Sequence, residues 1–325
     1  MTDYIRWGIL STANIGRKVI PAIQQSRNGR VAAVASRSLE RAEAYAAELG
    51  IPLAYGSYEA LLQDPNIDAI YNPLPNSEHA PWSIRAAEAG KPVLCEKPLA
   101  TDTAEAQQMV EAFEQRGLLF AEAFMYRFHP QTERVMAMIE SGAVGEMQII
   151  EASFTFTVQR ENDVRLDQSL AGGGLWDVGC YCVNVMRLMT GEEPDDVRAL
   201  ARFGEQSGVD ESLVGLLSFP SGVLGHFDSG LRTSLKHGYE IRGSGGRILV
   251  EEGFGIDPTR PTTIRHWQGG RYNEITIPAA NHYTLMAEDF ADALLNNRPP
   301  RFPPQDGVRN MAVLDRLLAT ARQAG

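Results

Sequence analysis

The chain has 325 residues, 44% of them hydrophobic, with a formal net charge of −11. That length exceeds one ordinary core and predicts two domains, each large enough to be stabilised by packing alone. The acidic balance, with no Lys/Arg run, excludes nucleic acid and anionic membrane surfaces as expected partners, although a phosphate can still be bound locally.

Through residue 124, strand-like and helix-like segments alternate. The strand candidates are "YIRWGIL", "RVAAVAS", "PLAYG", "IDAIYNP", "PVLCE" and "LLFAEAF". Segments with helical spacing of apolar residues separate them, from "NIGRKVIPAIQQS" to "TAEAQQMVEAFEQRG". Short apolar strands between amphipathic helices predict an α/β, doubly wound parallel sheet, a Rossmann domain over 1–124. After "MYRFHPQTERVMAMIESG", a further predicted helix, the period changes. In "MQIIEASFTFTV", Ile150, Ala152, Phe154, Phe156 and Val158 alternate with Glu151, Ser153, Thr155 and Thr157. A two-residue period marks a strand of an antiparallel sheet with one covered face. "ESLVGLLSF", "GVLGHFDSGL", "HGYEIRGSG", "RILVEE", "TTIRHW" and "RYNEITI" continue it, with turns such as "PSG" and "QGG" between. Two helices, near 282–296 and 305–323, close the chain. Residues 125–325 are therefore expected to form an α+β domain on a large, open-faced, mainly antiparallel sheet. Its last helix has the option of packing back on the first domain.

The three cysteines, Cys95, Cys180 and Cys182, have no repeated pair spacing and fit a reducing compartment without disulfides. No apolar stretch reaches bilayer length, and the first ten residues lack a signal-peptide pattern. The expected location is the cytoplasm. His226, His237, His266 and His282 have no ligand spacing, so no metal site is expected.

The turn after the first strand, "GILSTANIG", stands where a dinucleotide fingerprint would. Gly-x-Gly-x-x-Gly maps onto Ser11, Ala13 and Gly16, with Asn14 and Ile15 between. Two glycines are replaced by small residues, and the following helix still offers N–H groups and its positive dipole end to phosphate. A compact strand-to-helix turn with no ligand fits the same residues. The second strand ends in Ser36, Arg37 and Ser38, with Arg41 one helical turn on. An acid near this point normally binds the ribose hydroxyls of NAD; its absence, with an Arg present, points to the 2′-phosphate of NADP. The plainer alternative is a solvated Arg beside a helix-capping Ser.

The fifth strand, "PVLCEKPLA", ends on Glu96 and Lys97, and Pro98 disfavours a helical conformation at Lys97. Together with "NPLPNSEHAPWSIRAAEAG" and "GGGLWDVGCYCVN", these stretches resemble the glucose–fructose oxidoreductase and inositol dehydrogenase family (Gfo/Idh/MocA) across the whole chain. The branch of dimeric dihydrodiol dehydrogenase and NADP-dependent sugar dehydrogenases is the most similar. The resemblance implies that Lys97 contacts nicotinamide and the reacting oxygen, with Glu96 near the nicotinamide ribose. It implies that Leu74, Asn76 and His79 border the cofactor, with His79 alternatively a helix cap, and that Trp176 packs near the nicotinamide or in the core. Asp177 and Tyr181 would be catalytic; four residues apart, they share one face if the segment is helical. An ammonium near a phenol of reference pKa about 10 favours its charged form, so Tyr181 could exchange a proton with the substrate hydroxyl. Arg127 and His129 either orient substrate or serve an ion pair, and Asn184 is a candidate substrate contact. The implied activity is NADP-dependent hydride transfer to or from a sugar, polyol or diol, with NAD the less favoured cofactor. The implied assembly is a homodimer or tetramer through the open sheet face. Rivals are an NAD-retaining glycoside hydrolase and a non-catalytic nucleotide sensor, which Ser36-Arg37 and the Lys97, Asp177, Tyr181 set respectively argue against.

Overall fold

The computed structural model describes residues 4–324, which divide into two compact units. The first takes the chain up to Met125 and also Tyr283–Val308; the second takes Tyr126–His282 and the chain from Arg309. The boundary thus falls close to residue 124, but a stretch near the C-terminus returns to the first unit.

In the first unit the strands are β1 (Ile5–Leu10), β2 (Gly29–Ala35), β3 (Leu53–Tyr55), β4 (Ala69–Asn72), β5 (Val93–Cys95) and β6 (Phe120–Glu122). All pair in parallel, in the spatial order β3-β2-β1-β4-β5-β6. Helices α1 (Gly16–Gln25), α2 (Leu39–Leu49), α3 (Tyr58–Leu62), α4 (His79–Glu88) and α5 (Thr103–Glu114) connect them. This is the doubly wound order whose ligands bind outside the carboxyl ends of the strands, at the switch point beside β1 and β4. Trp7, wholly buried on β1, packs its ring 5.1 Å from Phe290 in the returning segment. Arg27 pairs there with Glu288 and Asp292, which fastens that segment to the end of α1.

The second unit opens with α6 (Pro130–Glu140) and the eleven-residue β7 (Met147–Thr157). It continues with α7 (Cys180–Thr190), β8 (Asp196–Phe203), β9 (Asp210–Ser218), β10 (Leu224–Gly230), β11 (Arg232–Gly243), β12 (Gly246–Val250), β13 (Thr262–Gln268) and β14 (Arg271–Ile277). The eight strands order as β14-β13-β12-β11-β7-β10-β9-β8, antiparallel except for β7 with β10. Helix α8 (His282–Leu295) lies in the first unit from Tyr283 on, and α9 (Gln305–Ala324) starts in the first unit and continues in the second. Strand β8 was not among the predicted strands. Of the polar residues of β7, Ser153 and Thr155 are buried, because their hydroxyls donate to Asp228 at 2.7 Å and to the Ser234 carbonyl at 2.7 Å. No described helix is long and apolar enough to cross a membrane.

Candidate active site

The predicted cofactor residues of the first unit all follow strand carboxyl ends. Ser11 leaves β1 with φ of 79°, the left-handed conformation that the first glycine of the fingerprint would supply. Its Oγ accepts from Ala13 N at 3.2 Å. Among the described residues, the N–H groups of Thr12, Asn14 and Ile15 meet no acceptor, and they precede the ten-residue α1. This turn fits a pyrophosphate. Gly16 is required by a neighbour: a Cβ there would lie 2.4 Å from Tyr45 Oη, which donates to the Ala13 carbonyl at 2.8 Å. Burial pushes the Tyr45 phenol up to about 12, so it remains a donor that braces the turn. Nothing in the sequence marked Tyr45 for this role.

At the end of β2, Ser36 is buried while Arg37 and Arg41 are exposed, and both cations act on the Tyr58 phenol. Ser38 caps α2, its Oγ accepting from Arg41 N at 3.3 Å. The capping role uses a lone pair and leaves its hydroxyl proton free to donate.

After β4 come Leu74, buried, and Asn76, half-buried in a short 3₁₀ turn. The His79 ring is fully buried. Its Nδ1 lies 2.8 Å from the Pro98 carbonyl and its Nε2 lies 2.8 Å from the Leu74 carbonyl. Burial holds the ring down at about 4, so it is neutral at ordinary pH. His79 therefore ties the segment after β4 to the one after β5. Glu96 is buried and accepts from the Tyr71 hydroxyl at 2.6 Å and from Lys97 N at 3.3 Å. Lys97, half-buried, precedes a cis peptide bond to Pro98.

The second unit carries the other candidates. Residues Leu175–Gly179 form a five-residue π-helical turn that runs into α7. The segment is thus helical, but not uniformly α-helical. A wider turn brings residues four apart closer to the same direction than an α-helix does, which keeps Asp177 and Tyr181 on one face. Trp176 is buried. Tyr181 is 5% exposed, with its ring 5.3 Å from Phe154, 5.5 Å from Phe254 and 5.9 Å from Tyr126. Asn184 is buried and its Oδ1 accepts from the Tyr126 hydroxyl at 2.6 Å, which makes it a ring-fixing residue in this structure. Arg127 and His129 are buried, and His129 caps α6, its Nδ1 accepting from Gln131 N at 3.1 Å.

Two residues missed by sequence reasoning hold this helix. Arg165 donates through Nε to Asp177 Oδ2 at 2.7 Å. Asp210, on β9, accepts from Leu175 N at 2.6 Å. Gly173 has φ of 129°, and a Cβ there would lie 2.3 Å from Asp210 Oδ1. Burial pushes Asp210 up to about 7, outweighing the Leu175 N–H, which favours the charged form. Among the described residues, no group of three His, Cys, Asp or Glu side chains could hold a metal ion.

A family model described as "Oxidoreductase family, NAD-binding Rossmann fold" matches residues 5–124, and one described as "GFO/IDH/MocA C-terminal domain" matches residues 132–249. The chain is 40% identical over 317 residues to D-xylose 1-dehydrogenase (NADP(+)) 2 of Haloferax volcanii, spanning 97% of both chains. It is 35% identical over 252 residues to trans-1,2-dihydrobenzene-1,2-diol dehydrogenase of Mus musculus, spanning 76% of this chain and 75% of that one. A solved 3-ketoreductase from Actinomadura kijaniata, in complex with NADP and TDP-benzene, matches with a TM-score of 0.93 at 32% identity over 98% of both chains.

Asp210 yields a pH-dependent prediction. Its pKa is 3.8 in the ordinary state and about 7 when folded. A raised folded pKa gives stability that is complete below the lower value and lost as pH rises through the upper one. Over that interval the loss is on the order of 4 kcal/mol, at about 1.36 kcal/mol per pH unit. Wild type should therefore lose stability relative to Asp210→Asn as pH rises from 3.8 to about 7, and the difference should level off above. Parallel pH profiles of the two proteins in urea denaturation would show that Asp210 ionises as readily folded as unfolded.

Proposed function

Because the chain belongs to the Gfo/Idh/MocA oxidoreductase family, we propose that it transfers a hydride between NADP and the hydroxyl or carbonyl carbon of a sugar, polyol or related diol. The observation that carries this reading is the placement of the phosphate-accepting turn after β1, Arg37 after β2 and Lys97 after β5 at one edge of the parallel sheet. The named activities of the xylose dehydrogenase, the dihydrodiol dehydrogenase and the ketoreductase support the substrate class.

The cofactor, when bound, supplies the hydride acceptor or donor. The turn Ser11, Ala13, Asn14, Ile15 and Gly16 would hold its pyrophosphate, and Arg37, Ser38 and Arg41 would meet the 2′-phosphate. In oxidation, Tyr181 takes the hydroxyl proton as general base, and in reduction it returns it. Lys97 is assigned the reacting oxygen, and Asp177 orients Tyr181. Glu96, held by Tyr71, neutralises part of the Lys97 charge. Solved variants of the A. kijaniata ketoreductase support these roles: one replaces a tyrosine with Phe and others replace a lysine. In that protein the tyrosine follows the lysine by as many residues as Tyr181 follows Lys97.

The proposed assembly is a homodimer or tetramer through the outer face of the eight-stranded sheet. Leu200, Val214, Leu216 and Leu224 are each more than half exposed, and Leu200 lies directly opposite Val214. Nearby on the same face, His226 and Arg242 each meet the Glu151 carboxylate. An apolar patch with a charged rim fits an interface between identical subunits.

Three results test these proposals. Arg37→Ala should weaken NADP binding by roughly tenfold or more, the equivalent of one charge-assisted bond, and leave NAD nearly unchanged. Equal losses for both would make Arg37 a support of the fold. With D-xylose, other aldoses and a cyclic trans-diol as substrates, Tyr181→Phe should lower turnover by ~10²–10⁴-fold with NADP affinity intact, and Lys97→Met by at least as much. Unchanged turnover in Tyr181→Phe would assign the proton to another group. Sedimentation velocity should find a dimer or larger species at micromolar protein, which Leu216→Glu dissociates; a monomeric wild type rules the assembly out.

A further inference from the structure

Arg165 belongs to neither the cofactor turn nor the Lys97, Asp177, Tyr181 set, yet the second unit is built closely around it. Its backbone carbonyl accepts from Gly173 N at 2.9 Å, and the Gly173 carbonyl accepts from Asp177 N at 3.0 Å. The Asp177 carboxylate then accepts from Arg165 Nε at 2.7 Å. These three bonds form a closed circuit that joins the loop before the glycines to the π-helical turn. Gly172 permits the approach, since a Cβ there would lie 2.4 Å from the Arg165 carbonyl oxygen. The other edge of the guanidinium donates through Nη1 to Asp163 Oδ1 at 3.1 Å, and its Cζ lies 5.6 Å from the Phe156 ring centre. Arg165 is thus held by its backbone, by a second carboxylate and by a ring, and its one donor Nε is given to Asp177.

We propose that Arg165 is a positioning residue for catalysis: bridged between Asp163 and Asp177, it fixes the Asp177 carboxylate in the orientation from which Asp177 serves Tyr181. The inference rests on the reading of Asp177 and Tyr181 given above. Arginine suits the task better than lysine, because a planar fork satisfies two carboxylates at fixed angles and an ammonium is a point charge. The Arg165 pKa is raised, with Asp177 as the first cause and Asp163 also contributing, in keeping with a guanidinium held between two anions. Loss of orientation acts on the reacting state and leaves ground-state binding in place.

The test uses the full chain with NADP and the fastest substrate of the panel. Arg165→Met should lower kcat by about ten- to a hundredfold, while KM and the NADP dissociation constant change by less than about threefold. Arg165→Lys should recover part of the lost kcat. In an Asp177→Asn background, Arg165→Met should add almost nothing, because residues that act through one another are not additive. Three outcomes overturn the proposal: a loss confined to KM, which would make Arg165 a substrate contact; a full additional loss in the Asp177→Asn background, which would make it a brace of the loop; or wild-type kcat in Arg165→Met. Should Arg165→Met not fold, Arg165→Lys alone and with Asp177→Asn is read by the same criteria. Wild-type kcat in Asp177→Asn itself would instead sink the reading of Asp177. A slow Asp177→Asn beside a normal Arg165→Met would sink only the inference.

Discussion

The hydrogen bond from Leu175 N to the buried Asp210 carboxylate sets where the helix of Asp177 and Tyr181 begins. A carboxyl group taken out of water needs donors, and the free N–H groups at a helix start are such donors. Side chains on the approach would crowd Asp210, so the chain runs through Gly173 and Gly174 there. With the start fixed, the π-helical turn follows and aims Asp177 and Tyr181 the same way. The aromatic wall of Phe154, Phe254 and Tyr126 then confines the Tyr181 ring. One polar contact between a strand and a loop therefore determines the placement of side chains several residues downstream.

Much of the architecture was legible because it rests on local periodicity. The parallel half announces itself through short apolar strands between amphipathic helices, and β7 through its alternation. What failed was local too. Strand β8 alternates buried Val197 and Ala199 with Asp196, Arg198 and Leu200, but the outward Leu200 blurs the pattern. The outer face of this sheet is partly apolar, and period-two reading assumes that it is wet. A return of the last helix to the first domain was left open, but that of α8 was beyond such reading, since Trp7 and Phe290 meet across almost the whole chain.

The candidate site divides along the same line. Residues adjacent in sequence to a strand end, such as Ser11, Arg37, Glu96 and Lys97, could be singled out as candidates because topology alone puts strand ends together. The residues that brace the candidates come from elsewhere: Tyr45 from α2 and Tyr71 from β4 in the first unit, and in the second Arg165 from a short 3₁₀ turn and Asp210 from β9. Each acts through a hydrogen bond between positions distant in the chain, except Arg165, whose partner is twelve residues on and beyond three glycines. No period or motif encodes such bonds. His79 shows an intermediate case: a motif residue expected beside the cofactor or as a helix cap has a buried ring that joins two loop carbonyls.

The serine in the left-handed conformation at position 11 carries a consequence for how a nucleotide would be met. A non-glycine residue there is strained by roughly 1 kcal/mol, and its side chain offsets part of this by accepting from Ala13 N. Glycine would relieve the strain and enlarge the conformational freedom of the unfolded chain, so the two choices nearly balance in stability. They differ in rigidity. Serine, with Tyr45 clamped on the Ala13 carbonyl, sets the turn before any phosphate arrives. The ordering entropy is then borne by folding, and association with an anion needs less of it. Preorganisation of this kind replaces the flexibility for which the fingerprint glycines are usually valued, at the loss of one backbone donor already committed to the serine oxygen.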